Sequence, residues 1–239
     1  TPFSENDVDF LDELGVLLFK IGSSDTNNLP FLKHVAATGK PMIVSTGMSG
    51  LNDVLEAVSV IRKSGNEDIV ILQCTTQYPT PMNEVNLRVM RTIQEKCDVL
   101  IGYSDHTVGI EVPIAAVALG ATVIEKHFTL DRNMEGPDHK ASLEPDELKA
   151  MAKAIRNIEK ALGSGEKKVS QVTMKVAEVA QKSLITARDI KSGEIIKKSD
   201  IVIKRPGTGI KPKQLEELVG RKTLVNIPAD TIIKWEDIE

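Results

Sequence analysis

Val99-Leu100-Ile101-Gly102-Tyr103-Ser104-Asp105-His106-Thr107 is the stretch that decides how this chain folds. An apolar run, 99–102, passes directly into a cluster of hydroxyl, carboxylate and imidazole side chains. A nearly continuous apolar strand is the mark of a parallel sheet covered on both faces, and a reactive cluster at its carboxyl end is the mark of a strand that opens on a site. The same pattern occurs four more times. Residues 16–21 lead into Lys20-Ile21-Gly22-Ser23-Ser24-Asp25, and 41–44 into Ser45-Thr46-Gly47-Met48. Residues 69–72 lead into Cys74-Thr75-Thr76-Gln77-Tyr78, and 122–124 into Glu125-Lys126-His127-Phe128.

Helical patterns at 51–64, 86–97 and 110–119 separate these runs. The strand-to-strand interval of roughly 22–30 residues is that of a βα unit with a right-handed crossover. A doubly wound sheet would gather its reactive residues at one switch point, whereas here every strand end carries them, which predicts a (β/α)8 TIM barrel. Neither a glycine-rich dinucleotide fingerprint nor a phosphate loop is present. Five βα units are not eight, however, so the expectation is the C-terminal part of a barrel, residues 1–165. A helix at 144–162 opens on Pro145 with Asp146 and Glu147 in its first turn and stops at Gly163. Residues 166–182 read as a linker and short helix. Residues 183–239 read as a small β-rich domain, with strands at 184–187, 201–204 and 223–227 between turns such as Lys191-Ser192-Gly193 and Pro206-Gly207.

Composition narrows the function. The 239 residues are 41% hydrophobic and 27% charged, an ordinary globular balance. No apolar run reaches the roughly 18 residues of a membrane span, and no signal-peptide pattern opens the chain. Aromatic residues are only 3%, which argues against a base-stacking nucleic-acid surface. Two cysteines, Cys74 and Cys97, make no disulfide framework, so a cytoplasmic protein is expected. The net charge of −4 is uneven: residues from 161 onward are net basic and the preceding body is net acidic, which favours contact between the two within or between chains.

His106 and His127 end consecutive strands, so in a barrel both face one mouth, and two imidazoles there suit a divalent metal. Lys20 lies between Phe19 and Ile21, as an ion facing a barrel interior or as a register oddity. With Ser23, Ser45 and Ser104 it supplies what a phosphate or carboxylate needs, although serines also occupy such turns for local reasons. Asp25, Glu125 and Asp138 are carboxylates for proton transfer or sugar contact. Glu125 could equally pair with Lys126 or support a metal ligand. Cys74 has no triad partner and reads as a small buried residue. His34 and His139 lack a strand-end position.

Taken in order, Thr1-Pro2-Phe3-Ser4, Lys20-Ile21-Gly22-Ser23, Ser45-Thr46-Gly47-Met48, Tyr78-Pro79-Thr80-Pro81, Ser104-Asp105-His106-Thr107, Glu125-Lys126-His127-Phe128-Thr129, Gly136-Pro137-Asp138 and Lys204-Arg205-Pro206-Gly207 resemble the sialic acid synthase family. The resemblance implies an enzyme that joins phosphoenolpyruvate (PEP) to an N-acylated amino sugar and releases phosphate, with an antifreeze-like (SAF) domain behind the barrel. It implies Mn²⁺, or another divalent cation such as Mg²⁺ or Co²⁺, on His106 and His127. Thr1, Lys20, Ser23, Ser45 and Ser104 would bind PEP, and Tyr78 and Asp138 the sugar. Asp25, standing where the family usually has glutamate, and Glu125 would be the catalytic carboxylates. Arg205 would reach the N-acyl group from a partner in a swapped homodimer. The family's barrel starts about three strands before the Thr-Pro-Phe-Ser turn, so this chain is expected to be an N-terminally truncated, inactive piece. The expected reaction is N-acetylneuraminate synthesis from N-acetylmannosamine, but Asp25 and Thr76 depart from the family pattern and leave open, as the alternative, a legionaminate-type product from a 2,4-diacetamido-trideoxyhexose. Competing expectations are a PEP-independent metal aldolase on the same two histidines, and a non-enzymatic sugar- or partner-binding module.

Overall fold

A computed structural model describes residues 1–239. The chain divides into two compact units, Thr1–Gly165 and Glu166–Glu239. No helix is long and apolar enough to cross a membrane.

The first unit alternates strand and helix. Its strands are β1 (Phe19–Ile21), β2 (Met42–Ser45), β3 (Ile69–Cys74), β4 (Leu100–Asp105) and β5 (Ile124–Lys126). They form one parallel sheet in chain order, with no reversal. Sequential order without a switch point is barrel winding rather than doubly wound topology. The helices are α1 (Glu5–Glu13), α2 (Leu29–Ala37), α3 (Leu51–Lys63), α4 (Val89–Cys97), α5 (Glu111–Ala118) and α6 (Pro145–Leu162). Asn28 caps α2 by accepting from the Phe31 N–H, and Pro30 sits in its first turn, where a missing donor costs nothing.

Strand alternation sorts the side chains. Phe19, Ile21, Met42, Val44, Ile69, Ile71, Ile101 and Tyr103 are buried and pack in one core with Leu32, Val35, Val58, Ile61, Met90 and Ile93 of α2, α3 and α4. Their alternate neighbours Lys20, Ser45, Cys74 and Ser104 therefore face the other side of the sheet. Lys20 is thus a site-facing residue and no register oddity. The sheet is strongly curled. Four strand spacings in a flat sheet are about 19 Å, yet Lys20 Nζ on β1 lies 3.4 Å from Glu125 Oε2 on β5. Five of eight barrel strands already bring first and last side chains together across the mouth.

Four of the five strands, all but β1, run further into their polar clusters than apolar content alone predicts, β4 to Asp105 and β5 to Lys126. The ladder continues because the polar side chains find partners on either face, Ser104 with Glu125 on the concave side and Asp105 with Lys126 behind the sheet, and leave the backbone pairing intact. The short helices α1 and α2, near the amino terminus, lie outside the segments whose pattern predicts helix.

The second unit holds α7 (Gln171–Ala180), β6 (Ser183–Thr186), β7 (Ile201–Lys204) and the single turn α8 (Leu215–Leu218). Strands β6 and β7 are antiparallel. Leu184, Ile190, Ile196, Ile210, Leu218, Ile227, Ile233 and Ile238 form its own core. The strand expected at 223–227 is absent. Thr223 bridges Ile238 while Ile227 bridges Ile190, so this segment crosses between two partners instead of running beside one.

Candidate active site

The carboxyl ends of the five strands line one cavity of about 310 Å³. Lys20, Ser23, Ser45, Tyr78, Ser104, Glu125, His106 and His127 all border it, joined by Gly22, Ser24, Met48, Cys74 and Thr76. A larger cavity lies at the opposite, amino-terminal strand ends, against Glu67, Asp68 and Asp98, and shares no lining residue with the first.

His106 is buried and follows β4 directly. Its Nδ1 lies 2.8 Å from the Thr75 carbonyl, so Nδ1–H donates and Nε2 keeps its lone pair. Burial lowers its pKa, against the opposing pull of that carbonyl, which favours the neutral ring. The His127 ring centroid is 5.2 Å away at 74°, and Tyr78 packs against both rings at 4.1 and 5.4 Å. The Thr80 N–H donates to the His106 carbonyl at 2.9 Å, tying the Tyr78–Thr80 loop to the end of β4. Two imidazoles, one of them held as the tautomer with a free Nε2, suit a divalent ion whose other positions go to substrate and water. No third His, Cys, Asp or Glu completes a closed metal cluster. A donor set of this kind fits an open, catalytic metal and not a structural one.

Opposite the histidines lie the lysine and serine side chains expected to meet an anion. Lys20 Nζ donates to the Ile21 carbonyl at 2.8 Å and pairs with Glu125. Glu125 also accepts from Ser104 Oγ at 2.7 Å. Its partner is therefore Lys20 across the mouth; Lys126, its neighbour in the chain, points behind the sheet to Asp105. Ser23 Oγ accepts from the Gly47 N–H at 3.0 Å. Ser45 Oγ differs from both, being buried with no hydrogen-bond partner. A buried hydroxyl left unpaired at a cavity wall is free to bond a ligand oxygen or a water. Gly47 must lack a side chain, since a Cβ there would stand 2.2 Å from Thr76 Oγ1 and 2.9 Å from Cys74 Sγ.

Cys74 is buried, with Sγ 3.7 Å from His106 Nδ1, and burial pushes its thiol pKa up. A protonated thiol is a poor nucleophile, so it packs the wall. Asp138 does not line the cavity but lies beside it, Oδ2 being 3.7 Å from His127 Nδ1. Thr1 and Asp25 do not border the cavity either: Thr1 is exposed, and Asp25 accepts from Ser24 Oγ at 2.9 Å on the short turn after β1. Arg205 is exposed on the second unit. His34 and His139 have local partners, Asp9 and Thr129. Met48, Gly22 and Ser24 line the cavity without being marked as site residues by the sequence, though each sits within one of its polar strand-end runs.

Barrel winding, polar strand ends gathered on one cavity, and paired imidazoles sharing it with Lys20, Ser23, Ser45 and Ser104 define a (β/α)-barrel with a candidate enzyme site, followed by a separate small β unit. The chain belongs to the NeuB family, the sialic acid synthases, whose model matches residues 1–167, and a SAF domain matches 181–239. It is 49% identical to the N,N'-diacetyllegionaminic acid synthase of Campylobacter jejuni, over 98% of this chain and 71% of that protein. It is 42% identical to human N-acetylneuraminate-9-phosphate synthase, over 97% of this chain and 65% of that protein. Among solved structures, the N-acetylneuraminic acid synthetase of Leptospira borgpetersenii matches with a TM-score of 0.69 at 36% identity, over 74% of this chain and 62% of that one.

Proposed function

We propose that this chain carries the condensing site of a PEP-dependent nonulosonate synthase. The observation that carries the reading is the unpaired Ser45 Oγ, set in the same cavity as the Lys20 ammonium. Together they offer a charge and a free hydroxyl to an oxyanion. In this reading Lys20, Ser23, Ser45 and Ser104 hold the phosphate and carboxylate of PEP. Tyr78 and Asp138 contact the sugar. Glu125 faces the cavity and is assigned the proton transfers, which Asp25, outside the lining, does not share.

The C2=C3 electron pair of PEP forms the new C–C bond to the sugar aldehyde carbon, and the aldehyde oxygen takes a proton. Water adds to C2, and the C2–O bond breaks to release inorganic phosphate. A divalent ion such as Mn²⁺, held by His106 and His127, supplies Lewis-acid polarisation of the aldehyde. Arg205 is assigned to the substrate N-acyl group, reaching it from a partner subunit.

For the sugar we favour a 2,4-diacetamido-trideoxyhexose, giving a legionaminate-type product, because the 49% relative is a diacetyllegionaminic acid synthase. The 36% relationship to the N-acetylneuraminic acid synthetase of Leptospira borgpetersenii supports N-acetylmannosamine as the second reading. Full-length protein given PEP, Mn²⁺ and each sugar should release phosphate, with the higher kcat/KM for the diacetamido sugar. A higher value for N-acetylmannosamine selects the second reading. No phosphate with any sugar refutes both and leaves the aldolase or the binding module.

A further inference from the structure

We propose that Asp105, Lys126 and Thr107, none of which borders the cavity, form a positioning lock that holds His106 against His127. The inference rests on the reading of these histidines as one site, and its test separates the two.

Asp105 ends β4, Lys126 ends β5, and the two are register partners. On the other face of the same ladder their neighbours Ser104 and Glu125 are partners too. The ion pair is completely buried: the side chains of Lys126 and Asp105 are 2% and 0% exposed, with Nζ 2.5 Å from Oδ2. All its remaining bonds go to one residue. Asp105 Oδ1 accepts from the Thr107 N–H at 3.1 Å and Oδ2 from Thr107 Oγ1 at 3.0 Å. Lys126 Nζ donates to the Thr107 carbonyl at 2.6 Å.

A buried ion pair contributes little net stability, because desolvation offsets the attraction, and an apolar pair of equal volume often serves as well. Stability alone therefore gives this pair little reason to exist. Its geometry gives a better one. His106 stands between Asp105 and Thr107, so the lock grips the backbone on both sides of it, and His127 directly follows Lys126. One buried hydrogen-bonded network thus fixes the two strand ends that carry the imidazoles, at the 5.2 Å ring separation observed. Tyr78 touches both rings and contributes packing, but it belongs to a loop and is half-exposed.

The decisive variant replaces the pair by apolar residues, Asp105→Leu with Lys126→Met, in the full-length protein. Two readouts are taken: the long-range ¹H–¹⁵N imidazole spectrum without metal, and the Kd for Mn²⁺ by calorimetry. The lock predicts Tm near wild type, a broadened or shifted His106 ring signal, and a Mn²⁺ Kd raised by about tenfold or more. Unchanged ring signals with Kd within twofold of wild type overturn it, because the pair is then only structural. If wild type itself binds no Mn²⁺, the metal reading falls and the imidazole spectrum alone decides the lock. Should the double variant fail to fold, Thr107→Val keeps the ion pair and the bulk while deleting one bond of the network. It should broaden the His106 signal to a smaller degree, and an unchanged signal there also overturns the proposal.

Discussion

The two units bury polar side chains for opposite ends. In the small unit every such residue is tied to distant backbone or to a charged partner. Ser183 Oγ donates to the Pro206 carbonyl and accepts from the Gly209 N–H, and Thr186 Oγ1 donates to the Pro228 carbonyl while accepting from the Thr231 N–H. Thr223 Oγ1 donates to the Lys191 carbonyl, and Asp200 binds Arg188 and the Lys197 N–H. With only eight buried apolar residues in its core, this unit uses polar side chains as staples between loops. In the five-stranded unit a large apolar core already holds the sheet, and two of the buried polar groups at the cavity wall keep capacity in reserve. Ser45 Oγ has no partner, and His106 keeps a free Nε2. A buried group with an unused donor or acceptor at the cavity wall marks a site, whereas satisfied buried groups, in the small unit and in the Asp105–Lys126–Thr107 network alike, hold backbone in place.

The sharpest way to break that distinction is at the histidines. His106→Ala or His127→Ala in full-length protein should reduce Mn²⁺-dependent phosphate release by about a thousandfold or more, since Lewis-acid assistance contributes several kcal/mol to the barrier. Tm should change little. Near-normal turnover of either variant with metal would remove the assignment. Lys20→Met comes next. Loss of a charge-assisted contact costs about 1.5–3 kcal/mol, so KM for PEP should rise roughly tenfold or more while that for the sugar moves less. An equal rise for both substrates would mean that Lys20 only supports Glu125.

Much of this division is legible in the sequence, and the reason is local. A strand end is read from consecutive residues, so the amino-acid order alone assigns Ser104, His106, Glu125 and His127 to one mouth. What escapes is whatever depends on register or curl. Lys126 pairs with Asp105, 21 positions earlier, and Lys20 with Glu125 across the whole sheet. No spacing rule connects such residues; only the ladder and its curvature do. The strand wrongly expected at 223–227 has the same cause, because alternating β-favouring residues do not reveal that their partners lie on two different segments.

A matched pair of hydroxyl deletions tests the contrast directly. Ser183→Ala leaves the Gly209 N–H and the Pro206 carbonyl unpaired and should destabilise the small unit by about 1–3 kcal/mol, read as a fall in its denaturation midpoint. Ser45→Ala removes a hydroxyl that already lacks a partner, so stability should hold or rise slightly while PEP binding weakens about fivefold. If Ser45→Ala destabilises as much as Ser183→Ala, the orphaned hydroxyl is structural and the distinction fails.

The smallest effect belongs to Asp200, and its sign can be worked out. Burial pushes its carboxyl pKa up, but the Arg188 guanidinium and the Lys197 N–H together outweigh burial and leave it below the usual aspartate range. A group whose pKa is depressed by folding stabilises the native state at pH values above its unfolded pKa of about 3.9. That contribution is lost as pH falls from there through the folded value. Asp200→Asn keeps the shape and one acceptor but cannot carry the charge. At pH 7 it should cost the small unit about 1 kcal/mol, and the gap from wild type should narrow as pH drops from about 5 toward 2. Chemical denaturation of both proteins across that range measures it. A gap that stays constant with pH would show that the Arg188–Asp200 contact acts through hydrogen-bond geometry alone, with no contribution from charge.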